Sequence, residues 1–482
     1  MQVPKKVGFA ALAVSSGGAI HFGFQFVVTD PSEDAFLDFV RDSYHAHYAN
    51  RLKQATLEDI WSVIVSLFFV GAIFGALSIR FVSEKFGRRR SLVLAYFISS
   101  ISVFLSALSY FINSFELYTL TRLTLGFAVC LSVGVGALYL SEISPKRCRG
   151  FVGMSTGVFV QLGLLLGSLV AMPAALGSTH RWWMIYLIEC AVFIIAAASV
   201  RMLPDSPGYL INQGKDEAAK KSLVFFQDLS DEALKLRIDE LKTESQKSEQ
   251  MGLIEVLRGE GRRRVFIGII AMFGTAFSGV AAINAFAVDI MESAGLSDSA
   301  ASFANAGLSF VSLLAALGSS LVVERIGRRP LLLFANCGIL LCNLFISALL
   351  IAHDHHSFPL LSASLIICIA FFLTFFALGP GPVCYFITSE LNDQKSRSAA
   401  QSWTSLTQMA SRSILLAGFL PLKMAVGSGV AYMILFIAPI TSVIIFLYFN
   451  LPETKNRDQK EVIKAFDDLP KLCCQKSKIL PI

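Results

Sequence analysis

Charge is scarce in this chain. Of 482 residues only 16% are Asp, Glu, Lys or Arg, against 54% hydrophobic, and the mean hydropathy is +0.62. That balance excludes an ordinary soluble globular chain. Tyr and Trp are also few, 11 and 4 beside 40 Phe, a ratio that suits lipid-facing surface better than a water-soluble core. The net charge of +6 does not point to nucleic acid, because the basic residues stand in short clusters between apolar runs. The cysteines Cys130, Cys148, Cys190, Cys337, Cys342, Cys368, Cys384, Cys473 and Cys474 are scattered. None falls in the loop expected over Asp30–Asp59, so no disulfide framework is expected. There is no Asn-x-Ser/Thr sequon, hence no expected N-glycosylation. Nucleotide loop, catalytic triad and zinc spacing are all missing, so the expectation is no enzyme, no cofactor and no metal. Met1–Lys6 carries two lysines, but the run behind it continues as a span, which argues against a cleavable signal.

Long apolar runs are what the sequence has. A bilayer core takes roughly 20 apolar residues per helix, and on that measure there are about twelve spans. The first six are Val7–Val28, Ile60–Phe81, Ser91–Phe111, Leu117–Leu140, Phe151–Ala175 and Trp183–Leu203. The second six are Val265–Met291, Ala300–Val323, Leu331–Ile351, Leu360–Ser389, Ala399–Met424 and Gly429–Leu451. The fold class is therefore an all-α membrane protein with two six-helix bundles, residues 1–203 and 265–451. A linker over 204–264 and a charged tail over 452–482 complete the chain. In the linker, Asp231–Glu244 sets Leu234, Leu236, Ile238 and Leu241 among Lys and Glu. It reads either as a surface helix under the membrane or as a solvated charged stretch.

Lys and Arg collect in alternate short loops: Lys85-Phe86-Gly87-Arg88-Arg89-Arg90, Lys146-Arg147-Cys148-Arg149, Arg325-Ile326-Gly327-Arg328-Arg329 and Lys395-Ser396-Arg397. Loops on the other side, Asn113–Glu116, Ser293–Ser299 and His353–Phe358, have few. By the positive-inside rule the basic face, the linker and both termini are cytoplasmic. His353-Asp354-His355-His356 reads as a polar loop tip rather than a metal site, and Cys473-Cys474 lie far from the last span for palmitoylation.

The halves repeat each other. Gly87-Arg88-Arg89 follows the second span and Gly327-Arg328-Arg329 the eighth. Ser141-Glu142 with Arg149 follows the fourth, and Ser389-Glu390 with Arg397 the tenth. Matching Glu and Arg partners suggest an ion-pair gate on the basic face, with topology-setting charge as the plainer reading. Within the tenth span, Gly379-Pro380-Gly381-Pro382 removes two backbone donors and two side chains, so regular helix cannot pass through unchanged. Such a break marks a transporter's centre or hinge, or else a kink in a packed helix.

These residues resemble the sugar porter branch of the major facilitator superfamily, and most closely the animal facilitative glucose transporter family. The marks run in order along nearly the whole chain: Gly87-Arg88-Arg89, Tyr139-Leu140-Ser141-Glu142 through Pro145 with Arg149-Gly150, and Pro204-Asp205-Ser206-Pro207. They continue with Glu324-Arg325-Ile326-Gly327-Arg328-Arg329, the Gly-Pro stretch and Pro452-Glu453-Thr454-Lys455. The resemblance implies a carrier closed on the cytoplasmic side by Arg88, Arg89, Glu142, Arg149, Glu324, Arg328, Arg329, Glu390 and Arg397. Gly208 replaces an Arg expected there, which implies a slightly loosened gate.

The family's sugar-binding amides do not carry over intact. The Gln of the fifth span falls on Gly157, with Gln161 one turn later. The Gln-Gln pair of the seventh falls on Thr275-Ala276, with Asn284 about a turn late. The eighth-span Asn is Ser312, the Trp after Gly-Pro-Gly-Pro is Tyr385, and a Glu before it is Ala377. On the eleventh span Asn-Trp…Asn becomes Gln408-Met409…Arg412. The substrate-contacting set implied is Gln25, Gln161, Asn284, Ser312, Tyr385, Gln408 and Arg412. Arg412 either lines the cavity, which would suit an anionic substrate, or snorkels to an interface. In proton-coupled relatives an Asp on the first span faces the Arg at Arg122. Counted along the first span, that place falls on Thr29, with Asp30 about 100° away on a helix. His21 is either titratable or a packing histidine. The reading is a facilitative (uniport) hexose carrier in the plasma membrane, binding a small-molecule substrate and lipid and no nucleic acid. The alternatives are an organic-anion or proton-coupled carrier, or a non-transporting sensor or scaffold.

Overall fold

The structure, a computed structural model, describes residues 3–29, 31–50, 52–227, 230–246, 251–259, 261–284, 298–355, 359–455, 457, 459–466 and 469. Asp30, His356, Cys473, Cys474 and the expected end of the seventh span at Met291 lie outside them. Among the described residues eleven helices are long and apolar enough to cross a membrane. The twelfth, Arg397–Val426, has the length but carries a polar stripe of Gln401, Thr404, Gln408, Ser411 and Arg412. The described residues thus hold the twelve long helices expected.

Several expected elements differ in detail, each for a local reason. The first span is two helices, Lys5–Gly17 and Ala19–Val27, broken at Gly18. The stretch expected to be loop holds a helix, Glu33–Tyr48, and the second span begins early, at Gln54. Phe36 and Phe39 of that extra helix stack into an aromatic cluster with Trp61, Tyr118 and Trp182, ring centroids 4.9–6.3 Å apart. This burial orders a segment whose polar composition reads as loop. The fifth span stops at Val170 rather than Ala175. In the linker, Leu234 and Leu241 pack on Ile211, Ala219 and Leu223, while Leu236 is exposed. The apolar stripe of Asp231–Gln246 thus serves the linker's own small core rather than a membrane surface.

Helices within the first half approach to backbone contact. A Cβ on Gly71 or Gly126 would lie 1.9 Å from a carbonyl oxygen of Leu123 or Phe68 respectively. Only hydrogen fits where the second and fourth spans cross, the close packing that replaces hydrophobic drive inside a bilayer. The first and fifth spans do the same at Gly23 and Gly163.

Candidate functional site

The repeated Gly-Arg-Arg motif is first a backbone device. Gly87 and Gly327 sit at φ +85° and +101°, a region that favours glycine, and each ends one span so that the next starts at the following Arg. The new helix offers unpaired N–H groups. Asp205 accepts those of Arg88 and Arg89 at 3.1 and 3.2 Å. Glu453 accepts those of Arg328 and Arg329 at 3.0 and 3.1 Å. The Pro-Asp-Ser-Pro and Pro-Glu-Thr-Lys motifs therefore cap corresponding helices in the two halves. Burial raises the Asp205 carboxyl pKa above its ordinary value, against the N–H bonds and the arginine charges, which lower it.

Side chains at this end pair as the sequence suggests in part. Arg88 meets Glu142 at 3.0 Å, and Arg328 meets Glu390 at 3.0 Å and Glu324 at 2.8 Å. Glu390 also accepts from Thr454 Oγ1 at 2.6 Å. Arg89 and Arg329 donate instead to the carbonyls of Leu203 and Tyr448. Arg397 donates to the Asn392 carbonyl. Arg149 lines a small polar cavity with Lys146, Arg328, Glu390, Thr454 and Arg457. Gly208, where an Arg was expected, lies against the Gln394 side-chain amide, whose Nε2 would be 1.9 Å from an added Cβ. Burial raises the Asp393 carboxyl pKa, but Ser396, Arg264 and Arg397 outweigh it and the net shift is downward.

Hydrogen bonds among the described residues tie the halves together here. The backbone N–H of Phe151 donates to Glu324 at 3.1 Å. That of Arg80 donates to Ser402 Oγ at 3.1 Å, and Ser398 Oγ donates to Glu84 at 2.5 Å. This end of the molecule is closed.

At the Gly-Pro stretch the tenth span is two helices, Pro359–Leu378 and Pro380–Leu391. Pro380 and Pro382 donate nothing in the restarted first turn, where proline's fixed φ is already helical. The Leu378 carbonyl freed by the break is taken by Ser319 Oγ of the eighth span. Pro382 then presses against the fifth span: a Cβ on Gly157 would be 2.2 Å from it. The seventh span breaks as well, at Phe277–Gly279, which the sequence reading missed. Asn343 holds that break, donating to the Ser278 carbonyl at 2.8 Å and accepting from Tyr432 at 3.1 Å.

The expected substrate residues divide. Gln408 Nε2 donates to Tyr385 Oη at 3.0 Å, and Tyr385 stands edge-on to Phe22, 6.3 Å away. The Arg412 guanidinium lies 4.1 Å over the Phe26 ring; it is buried and does not snorkel. Ser312 Oγ is buried without a partner, Gln161 is buried, and Asn284 is partly exposed.

Gln25 is committed elsewhere. Its oxygen accepts from Arg122 Nη1 at 2.5 Å and its amide donates to Glu189 at 2.7 Å. This corrects the count along the first span: Gln25, not Thr29, faces Arg122. Glu189 also meets His21 Nδ1 at 2.9 Å, and the His21 ring stacks on Phe193 at 3.6 Å. Glu189 went unremarked in the sequence, although a carboxylate in the middle of a span is itself a signal.

Comparisons with known proteins agree with this architecture. The family described as "Sugar (and other) transporter" matches residues 10–466. The chain is 29% identical over 470 residues to "Solute carrier family 2, facilitated glucose transporter member 1" of Gallus gallus, covering 95% of this chain and 94% of that one. It is 28% identical over 465 residues to member 7 of Mus musculus, covering 94% and 89%. Among solved structures it is similar to the proton:xylose symporter XylE bound to 6-bromo-6-deoxy-D-glucose. There the TM-score is 0.81 at 19% identity, over 96% of this chain and 99% of that one. The inward-open xylose transporter XylE from E. coli gives 0.69 at 17% identity, over 95% and 99%.

Proposed function

The chain belongs to the sugar (and other) transporter family, and from that premise we propose that it is a facilitative sugar carrier working by alternating access. It is a multi-pass integral membrane protein. The observation that carries the mechanism is the bond between Phe151 N–H and Glu324, which joins the halves at the basic face. Opening that end requires breaking it and parting Gly157 from Pro382, while the ion pairs within each half can persist. Breaks in the first, seventh and tenth spans supply the local bending such rocking needs.

We place the basic face, the linker and both termini in the cytoplasm on the Lys and Arg distribution of its short loops. Residues 1–203 and 265–451 are the proposed rocking units. The sugar class is supported by the printed names of the relatives, facilitated glucose transporters. Uniport is supported by Gln25: the first-span group facing Arg122 is an amide, which neither takes up nor releases a proton at neutral pH.

A second reading, proton-coupled transport, is favoured by one observation, the buried His21–Glu189 pair at 2.9 Å. Counterflow of labelled hexoses, polyols and organic acids in liposomes holding the purified protein separates the readings. Uniport predicts saturable exchange and no accumulation under an inward proton gradient. Accumulation above equilibrium would establish the proton-coupled reading. The absence of any saturable exchange would leave a sensor or scaffold.

A further inference from the structure

We infer that the cargo of this carrier is negatively charged: a small polyhydroxylated monoanion of the sugar-acid class, with its carboxylate on Arg412. The inference rests on the sugar-carrier reading and narrows its substrate. Four arginines are buried among the described residues: Arg88, Arg122, Arg328 and Arg412. Arg88 is paired with Glu142, and Arg328 with Glu324 and Glu390. Arg122 bonds Gln25, whose amide is in turn held by Glu189. Arg412 has no carboxylate partner among the described residues, and its Nε, like that of Arg122, is buried without a hydrogen bond; Arg122, however, has Gln25 as a partner. Its guanidinium lies over an aromatic face, which attracts a cation but accepts few of its five N–H donors. A guanidinium cannot shed its proton to escape this situation. An anion that arrives and leaves resolves it.

The surroundings suit such an anion. Gln408 and Arg412 are four residues apart on the eleventh span, and Phe22 and Phe26 four apart on the first, so each pair shares a helix face. The faces meet across the two halves. Tyr385, bonded to Gln408, approaches Phe22, and Arg412 covers Phe26. Two rings offer a wall for the carbon skeleton, the amide and phenol offer partners for hydroxyls, and the guanidinium offers a planar fork for a carboxylate. A neutral hexose would use the first two and leave the charge uncompensated.

The test uses the purified full chain in liposomes with labelled D-gluconate, D-glucuronate and D-glucose. Uptake of at least one acid is expected to be saturable and faster under an inside-positive potential, since each turnover moves a negative charge. Arg412→Gln should cut that uptake by more than about tenfold, and Arg412→Lys should recover part of it, in variants that unfold at the wild-type temperature. The potential dependence needs no variant and stands if Arg412→Gln fails to fold. Uptake of glucose and neither acid would overturn the inference and leave the sugar-carrier reading standing. Acid uptake indifferent to both potential and Arg412 would also overturn it. Uptake of none of the three by well-folded protein would overturn both.

Discussion

Glu324 of the eighth span accepts the backbone N–H of Phe151 at the start of the fifth, at 3.1 Å, across the boundary between the halves. The same carboxylate holds Arg328 at 2.8 Å. It therefore acts both as a cap for a helix of the other half and as a counter-ion in its own.

Removing that carboxylate should loosen the closed end. In Glu324→Ala, maleimide labelling of Cys148, buried at this end, is expected to rise several-fold while the transport rate falls. Mass spectrometry of the labelled peptide reads it. Labelling at the wild-type rate would argue that the Phe151 bond does not hold the gate.

The network around Gln25 makes a prediction about coupling. Glu189→Gln leaves Arg122 buried without a nearby carboxylate and should destabilise the protein by about 3 kcal/mol. Adding Arg122→Gln should restore much of the loss, because the double variant buries no charge at this place. Denaturant unfolding of the two singles and the double in detergent gives the coupling energy. Simple additivity would show that Arg122 and Glu189 do not communicate through Gln25.

Two glycines on comparably tight contacts should behave differently. Gly126→Ala drives a methyl into the Phe68 carbonyl inside one half and should cost about 1–3 kcal/mol of stability. Gly157→Ala meets Pro382 across the halves, where the strain is relieved by their parting. It should melt near wild type yet label more readily at Cys148. Equal destabilisation by both would mean the Gly157 contact does not open.

Asp205 gives a pH signature. Its folded pKa is raised, chiefly by burial, so its contribution to stability is full below the ordinary carboxylate value and is lost as pH rises through the folded value. Asp205→Asn mimics the protonated form and keeps an acceptor for the Arg88 and Arg89 N–H groups. Its melting temperature should equal or exceed wild type at pH 7, and its pH dependence above the ordinary carboxylate range should be flatter. Asp205→Ala loses the acceptor and should melt lower, by about 1 kcal/mol in stability. Asp205→Asn melting as low as Asp205→Ala would contradict the raised pKa.

Much of the fold was legible because hydrocarbon demands long apolar helices and leaves few alternatives. The same economy of options made the Gly-Pro break in the tenth span readable. The breaks at Gly18 and Gly279 were not, since a lone glycine in a span signals close packing as often as a bend. The helix Glu33–Tyr48 was hidden because its order comes from Phe36 and Phe39 inserting among rings far away in sequence. The misplacement of Arg122's partner at Thr29 had a simpler origin: a count along a broken span has no fixed register until a contact sets it.

By itself the sequence determined that the chain is a membrane protein, how its twelve helices follow one another, and which face carries its basic turns. Those properties depend on composition and local spacing, to which each residue contributes independently of its distant neighbours. Only the tertiary structure decided which charges are matched. Arg88 and Arg328 find glutamates, Gln25 is taken by Arg122 and Glu189, and Arg412 is left over Phe26. Whether a buried charge is balanced depends on which helices meet and at what height, and no stretch of the sequence contains that on its own.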